Sequence, residues 1–168
     1  MLYVFLYLTK PMGRDFHVSC QVSVFGGAFD DAFAFPSRAF FDQVRRNRFE
    51  LISSALVVDE LAEAPEKVRG FFRELAGRVD IQPISTEAVQ LRDAYLAAGI
   101  VGPASRDDAQ HVALATVLDC WTIVNWNFRH IVHARKIPLY NGVNRGQGYK
   151  EIAIHTPQEV IEYENEEV

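Results

Sequence analysis

Residues 107–126 read DDAQHVALATVLDCWTIVNW. The stretch opens with two aspartates, which the positive end of a helix dipole favours, and continues as an apolar run with helical spacing. A short apolar segment, WTIVNW, follows directly and has the composition of a buried strand. We therefore expect a helix over 107–118 and a strand over 121–126, the alternation that is typical of a parallel sheet covered by helices.

The same alternation continues outward in both directions along the chain. Strands are predicted over 16–25, 49–53, 81–84 and 151–154, and helices over 37–47, 56–64, 65–77, 86–99, 128–134 and 156–163, with a Gly/Asn loop over 141–148. Short connections between strands and helices favour parallel strands joined by helical crossovers. The sequence thus predicts an α/β fold, a three-layer α/β/α sandwich with a central, mainly parallel sheet.

Length and composition indicate a single domain over 1–168, with a frayed acidic tail over 162–168. The chain has 168 residues, of which 49% are hydrophobic, so it can bury a core without disulfides or metal staples. Its formal net charge of -5 excludes a broad cationic surface of the kind that binds nucleic acid non-specifically. Any contact with nucleic acid must therefore be local.

Two further features bear on the compartment. Cys20 and Cys120 lie in apolar surroundings without CxxC spacing, which favours two buried thiols in a reducing cytoplasm over a disulfide. The apolar run 2–8 (LYVFLYL) is too short to span a bilayer and lacks the features of a signal peptide, so no membrane contact is expected. We interpret 1–15 as a divergent N-terminal strand or arm.

Polar residues follow several of the predicted strands, at the edge where open α/β sheets place their ligand crevices. They are Gln21, Ser23, Glu60, Asp108, Asn125 and Asn127. Carboxylate oxygens of the kind that Glu60 and Asp108 supply suit Mg²⁺ or Mn²⁺, which use a few acidic ligands and keep several waters. The residues alone leave two interpretations open: a divalent-cation site at this edge, or a solvated helix glutamate at Glu60 and a helix-start acid beside the dipole at Asp108.

Four stretches of the chain resemble the motifs of the PIN-domain family, in particular the VapC-like toxin ribonucleases. They are SVFGGAFDDAF at 23–33, SSALVVDELAEAP at 53–65, DDAQHVALATVLDCWTIVNWNFRHIV at 107–132 and YNGVNRGQGYKEIAIHTPQEVI at 140–161. The motifs occur in family order and together cover most of the chain from Ser23 onward. Residues 1–21 match nothing in the family.

The resemblance assigns roles to individual residues. Glu60 and Asp108 match acidic metal-site positions, and Ser23 matches the hydroxyl residue that follows the first catalytic aspartate. Gln21 stands where the family has that aspartate, and Asn127 stands at the fourth acidic position. A glutamine oxygen is a neutral and poorer partner for a hard cation, so metal affinity should be weak.

What the resemblance implies is a cytoplasmic, Mg²⁺- or Mn²⁺-dependent endoribonuclease that acts as the toxin of a type II toxin-antitoxin pair. Glu60 and Asp108 would hold the metal, while Gln21, Ser23, Asn125 and Asn127 would orient waters and substrate. The implied partners are RNA, a small antitoxin protein and a second copy of the chain. The alternative is a catalytically impaired PIN fold that serves as a binding or dimerisation module. A sugar or nucleotide enzyme on a similar scaffold is a third, weaker reading.

Other polar residues have ordinary explanations. His111 fits a hydrogen-bonded core residue, and His130 with His133 lacks a third ligand for a metal. Substitute acids for the first position, namely Asp30, Asp31 and Asp107, fit turns or a helix start equally well. Three basic residues near the expected cleft could either contact phosphate or be ordinary surface charges: Arg129, Lys136 and Arg145.

Overall fold

The central element of the fold is a sheet of five parallel strands. The structure, a computed structural model, describes residues 17–161. The strands are β1 (His17–Cys20), β2 (Glu50–Ser54), β3 (Val79–Gln82), β4 (Thr122–Val124) and β5 (Ala153–His155), in the spatial order β3-β2-β1-β4-β5. Every neighbouring pair runs parallel, so all five carboxyl ends meet at one edge.

Helices connect the strands and cover both faces of the sheet. They are α1 (Val22–Gly27), α2 (Ala34–Arg45), α3 (Ala55–Ala62), α4 (Glu66–Leu75), α5 (Thr86–Ala97), α6 (Arg106–Val117), α7 (Ile137–Gly146) and α8 (Pro157–Val160). The predicted three-layer α/β/α architecture with a parallel sheet is confirmed. No helix among residues 17–161 is long and apolar enough to cross a membrane.

Two hydrophobic clusters fill the layers on either side of the sheet. Side chains alternate between the two faces of a strand, so Val18 and Leu51 enter one cluster while Ile52 and Ile123 enter the other. Cys20 and Cys120 are both buried and unbridged, as predicted, and burial raises the pKa of each thiol.

The first predicted strand is too long, because the structure turns helical after Cys20. Residues 22–27 form α1, whose Val24 and Phe25 are buried in the core. The ring of Phe25 packs on Phe41 with centroids 4.7 Å apart. The alternating apolar letters VSVF suit a strand, but a run this short has no decisive period, and aromatic packing selects the helix.

The region after β4 also differs from its prediction. Residues 128–134 form turns instead of a helix, and most of the predicted loop 141–148 belongs to α7. Asn141 is buried and bonds both backbone groups of Ile152, accepting from the nitrogen at 2.9 Å and donating to the oxygen at 3.1 Å. Asn144 accepts a hydrogen bond from the Tyr95 hydroxyl. These buried tertiary bonds outweigh the low helix propensity of Asn and Gly.

The predictions for the two ends of the chain lie outside the described residues. They are the strand or arm over 1–15 and the frayed tail over 162–168. Smaller differences concern element ends, since β3 covers 79–82 where 81–84 was predicted. The predicted cap of α5 is confirmed, because the Ser85 hydroxyl accepts from the Ala88 nitrogen at 3.2 Å.

Gly27 lets α1 approach the segment that follows β4. A Cβ added there would lie 2.6 Å from Ser37 Oγ and 2.7 Å from Trp126 Nε1, whereas one added at Gly26 would meet nothing within 4 Å. We expect Gly27→Ala to lower the free energy of unfolding by about 1–3 kcal/mol through overpacking. Gly26→Ala, the matched control, should be neutral or stabilising because alanine favours the helix. Urea denaturation of both variants measures the difference, and equal stability would contradict the close approach.

Candidate active site

The six predicted site residues come from three carboxyl ends of the sheet and one neighbouring helix. Gln21 follows β1, with Ser23 in the first turn of α1, and Asn125 follows β4. Glu60 lies on α3, which begins directly after β2 with Ser54 as its cap, and Asp108 lies in the first turn of α6. The parallel sheet therefore brings together residues that are far apart in the sequence.

Asn125 links the segment after β1 to the segment after β4. Its side chain is fully buried, and its Oδ1 accepts from Ser23 Oγ at 2.7 Å and from the Asn127 backbone nitrogen at 2.7 Å. Its Nδ2 donates to Gln21 Oε1. The Ser23 hydroxyl also accepts from the backbone nitrogen of Trp126 at 3.1 Å. The side-chain oxygen of Asn125 thus holds Ser23 and the Asn127 backbone, and its side-chain nitrogen holds Gln21.

These bonds determine which way the amide of Gln21 points. A backbone N–H can only donate, so the Asn127 nitrogen fixes Oδ1 of Asn125 as the acceptor and leaves Nδ2 as the donor to Gln21. Gln21 Oε1 is occupied by that bond, and Gln21 Nε2 is buried without a partner among the described residues. Where a PIN-type site would have a carboxylate, this chain therefore has an engaged oxygen and an unsatisfied N–H donor.

Asp108 is held by the turn after β4. Asn127 Nδ2 donates to Asp108 Oδ1 at 2.8 Å, and Asn127 Oδ1 accepts from the backbone nitrogens of Arg129 at 3.2 Å and His130 at 3.0 Å. The Asn127 side chain therefore connects the backbone of the turn to the Asp108 carboxylate. An aspartate at the same place could not donate to Asp108, and two like charges would repel.

Glu60 is held by His111, one turn beyond Asp108 on α6. The His111 Nε2 lies 2.9 Å from Glu60 Oε1, and the histidine side chain is 5% exposed while that of the glutamate is 35% exposed. The prediction that His111 is a hydrogen-bonded buried residue is confirmed, but its partner was not foreseen. The i, i+3 spacing from Asp108 to His111 did indicate that both side chains lie on the same face of the helix.

The two carboxylates are close enough to affect each other. Burial raises the pKa of Asp108 above its ordinary value, and the charge of Glu60 raises it further, while His130, His111 and the Asn127 hydrogen bond oppose the rise. The charges of Glu60 and Asp108 therefore interact. A cation bound between them would relieve the repulsion.

The donor set suits a cation that keeps most of its waters. Residues 17–161 contain no group of three or more His, Cys, Asp or Glu side chains that could hold a metal ion. Mg²⁺ is commonly bound through one or two carboxylates, with water in its remaining positions. Glu60 and Asp108 thus fit such an ion, whereas Gln21 offers only a neutral oxygen that already accepts one hydrogen bond.

The remaining candidates lie elsewhere or have partners. Asp30 caps a turn by accepting from the Ala32 nitrogen at 2.9 Å, and Asp31 and Asp107 are exposed. Arg145 pairs with Glu151. Lys136 Nζ lies 2.9 Å from His130 Nδ1, so those two residues belong to the turn beside Asp108.

Comparisons with known proteins bear on the fold. A scan against protein-family models finds no match. A search of curated protein sequences also finds none. Among solved structures, the chain is similar to one in the crystal structure of VapBC2 from Rickettsia felis bound to a DNA fragment from their promoter. The TM-score is 0.51 and the identity 13%, over 83% of this chain and 98% of that one.

The likeness to VapBC2 concerns the fold alone, since 13% identity does not carry residue roles across. The parallel five-stranded sheet with helices on both faces is consistent with a PIN-like fold. The roles of Glu60, Asp108, Asn127, Ser23, Gln21 and Asn125 stay predictions.

The raised pKa of Asp108 predicts a pH-dependent stability cost. A carboxyl that binds its proton more tightly when folded loses stability as pH rises from the ordinary pKa of 3.8 through the folded value. Asp108→Asn removes that cost and keeps an Oδ1 acceptor for Asn127. Its melting temperature in metal-free buffer at pH 7 should exceed that of the native chain by on the order of 1–2 °C after solvent screening.

The same comparison near pH 3 should show no difference, because the carboxyl is then protonated in both folded and unfolded chains. Asp107→Asn is the control, since its exposed charge is favoured by the helix dipole and its loss should not stabilise. An Asp108→Asn variant that melts below the native chain at pH 7 would contradict the assignment.

Proposed function

We propose that this chain is a divalent-cation-dependent endoribonuclease with a PIN-like fold. The observation that carries the proposal is the pair Glu60 and Asp108, which lie on two different helices at the carboxyl edge of a parallel sheet. Burial raises the pKa of Asp108 and the charge of Glu60 adds to the rise, so the two carboxyls are close enough to interact electrostatically. Such a pair, partly open to solvent, is suited to bind a hard cation together with substrate phosphate.

The chemistry of the site would divide between the cation and the chain. A Mg²⁺ or Mn²⁺ ion held by Glu60 and Asp108 would offset the charge on an RNA phosphodiester and acidify a water molecule for its hydrolysis. The chain itself supplies orientation, because His111 fixes the Glu60 carboxylate and Asn127 fixes that of Asp108. Supporting partners of this kind strengthen metal affinity and hold the ligands in place.

Ser23 and Asn125 have a positioning role in this proposal. Their mutual hydrogen bond of 2.7 Å ties α1 to the turn after β4, which carries Asn127. Both side chains are occupied by bonds within the chain, so they would shape the cleft and set the position of Asn127. We therefore propose that they act on the substrate indirectly, while direct orientation of waters and substrate stays a prediction from the family resemblance.

The biological setting we propose is that of a cytoplasmic toxin in a type II toxin-antitoxin pair. The motif resemblance and the likeness of fold to a chain of the VapBC2 complex support this setting. The partners would be RNA at the carboxyl edge, a small antitoxin protein that covers the cleft, and a second copy of the chain. The homodimer remains a prediction from the family resemblance.

A second candidate, an impaired PIN fold that acts as a binding module, is favoured by the state of Gln21. The side chain is 6% exposed, its oxygen is engaged by Asn125, and its nitrogen has no partner among residues 17–161. Leaving a buried donor unsatisfied costs about 1–3 kcal/mol. A site tuned for catalysis would be expected to have a carboxylate here instead.

Cleavage of a single-stranded RNA separates the two candidates. We expect the native chain to cleave slowly with Mg²⁺ or Mn²⁺ and not in EDTA, and Glu60→Gln or Asp108→Asn to reduce the rate to background. Gln21→Asp should accelerate cleavage by about tenfold, or 1.4 kcal/mol of barrier, because it adds a charged ligand at the first position. Product yield from a 5′-labelled oligoribonucleotide on a denaturing gel is the measurement.

Matched controls are available next to each carboxylate. Glu63→Gln on the exposed side of the α3 terminus and Asp107→Asn beside Asp108 remove the same charge and should leave the rate unchanged. A native chain without cleavage that gains it through Gln21→Asp would support the binding module. Cleavage that survives both Glu60→Gln and Asp108→Asn would refute the proposed site.

A further inference from the structure

The positive charge of this acidic chain is concentrated after β4. Residues 120–150 contain five Lys or Arg and no Asp or Glu, although the whole chain has a formal net charge of -5. Arg145 and Lys150 are paired with Glu151 and Asp119. Within the part of the chain that the structure describes, the other three, Arg129, Arg135 and Lys136, form no salt bridge with an acidic side chain. Unpaired cations therefore gather in the turn that also holds Asp108.

His130 in this turn is fixed from three directions. Its backbone nitrogen donates to Asn127 Oδ1 at 3.0 Å, its backbone oxygen accepts from the Tyr140 hydroxyl at 3.2 Å, and its ring Nδ1 lies 2.9 Å from Lys136 Nζ. A lysine ammonium only donates, so Nδ1 is the acceptor and the ring carries its proton on Nε2. The turn therefore offers a fixed N–H donor, and Asn127 connects it to Asp108 by bonding both the His130 backbone nitrogen and the Asp108 carboxylate.

Phe128 belongs to the same turn, two residues before His130, and is 49% exposed. The inner side of its ring is backed by Trp126, at 6.0 Å between centroids, and by Phe33, at 6.3 Å. Trp126 is itself fixed, because its Nε1 donates to Ser37 Oγ at 2.9 Å. An aromatic ring that is held by neighbouring side chains and partly exposed to solvent can stack on a nucleobase with little loss of side-chain entropy.

We propose that residues 126–136 form a nucleotide subsite for single-stranded RNA, in which Phe128 stacks on a base while His130 Nε2–H and Arg129 contact the adjoining phosphate. Lys136 is a positioning residue, since it orients the His130 ring and adds a positive charge. The inference rests on the proposed ribonuclease function, because it places the substrate next to Glu60 and Asp108. It concerns binding, which can be measured separately from cleavage.

The chemistry of the turn favours single-stranded RNA over a duplex or a protein. A base within a duplex is already stacked on both faces, so only an unpaired base can cover the ring of Phe128. Arg129, Arg135 and Lys136, which follow Phe128 in the same segment, suit a polyanion, and their attraction for it falls with added salt. An acidic protein could use the charges, but it would not require a flat aromatic face.

Affinity for a fluorescein-labelled single-stranded oligoribonucleotide, measured by anisotropy in EDTA, tests the subsite without cleavage. Phe128→Leu keeps an apolar side chain but removes the ring, and it should weaken binding by about fivefold or more. Phe128→Tyr keeps the ring and should retain native affinity. The native chain should bind a fully paired RNA of equal length more weakly than the single strand.

The charge and the donor are tested with two further pairs of variants. Lys136→Met should weaken binding and lower the slope of log affinity against log salt by about 0.7, whereas Lys150→Met, whose charge is paired with Asp119, should change neither. His130→Gln keeps an N–H donor near the Nε2 position and should bind better than His130→Ala. Circular dichroism of each variant checks that the fold is retained.

The outcomes separate this inference from the proposed function. Binding that depends on the Phe128 ring and on Lys136, without any cleavage in Mg²⁺, would support the subsite while the nuclease proposal fails. Cleavage that needs Glu60 and Asp108 but is indifferent to Phe128→Leu and Lys136→Met would overturn the subsite alone. Equal affinity for paired and unpaired RNA, or no binding by the native chain in EDTA, would overturn it and leave the exposed ring to a protein partner.

Discussion

The side chain of Asn125 connects the parts of this molecule on which the candidate site depends. It is buried at the end of β4, where it binds Ser23 in α1, Gln21 after β1 and the backbone of Asn127. Because Asn125 is buried and both atoms of its amide are hydrogen-bonded, the two segments are fixed in one relative position. Asn127 then reaches Asp108, and the same turn presents Phe128 and His130 at the rim. An apolar residue at position 125 would remove the hydrogen bonds that hold Ser23, Gln21 and the Asn127 backbone in place.

The sequence allowed the architecture to be predicted because its period and composition are decisive over long stretches. The helix with Asp108 and the strand that follows it were expected close to their observed bounds, and a parallel sheet then brings Asp108 and Glu60 to a common edge. The short run after Cys20 was assigned wrongly, since VSVF has an alternating pattern while its helix is selected by distant aromatic partners such as Phe41 and Phe72. Helix α7 was missed because Asn141 and Asn144 read locally as loop residues.

The sequence predicted a set of candidate residues, but it did not predict the hydrogen bonds that the structure shows among them. The resemblance to a family pointed to Glu60 and Asp108, yet it gave no reason to place His111 on Glu60 or Asn127 on Asp108. Those contacts depend on the distance between α3, α6 and the turn after β4, which no local pattern encodes. The orientation of the Gln21 amide also follows only from the chain of donors and acceptors through Asn125. The number of carboxylates, by contrast, is set by the sequence, because Gln21 and Asn127 are amides and leave Glu60 and Asp108 as the acidic pair.

Isothermal titration of Mn²⁺ into the purified chain shows whether Glu60 and Asp108 together hold one divalent cation. If they do, the native chain should show weak, saturable binding that is lost in Glu60→Gln and in Asp108→Asn but kept in Glu63→Gln and Asp107→Asn. Binding that survives both site substitutions, or no saturable heat at millimolar Mn²⁺, would contradict the claim.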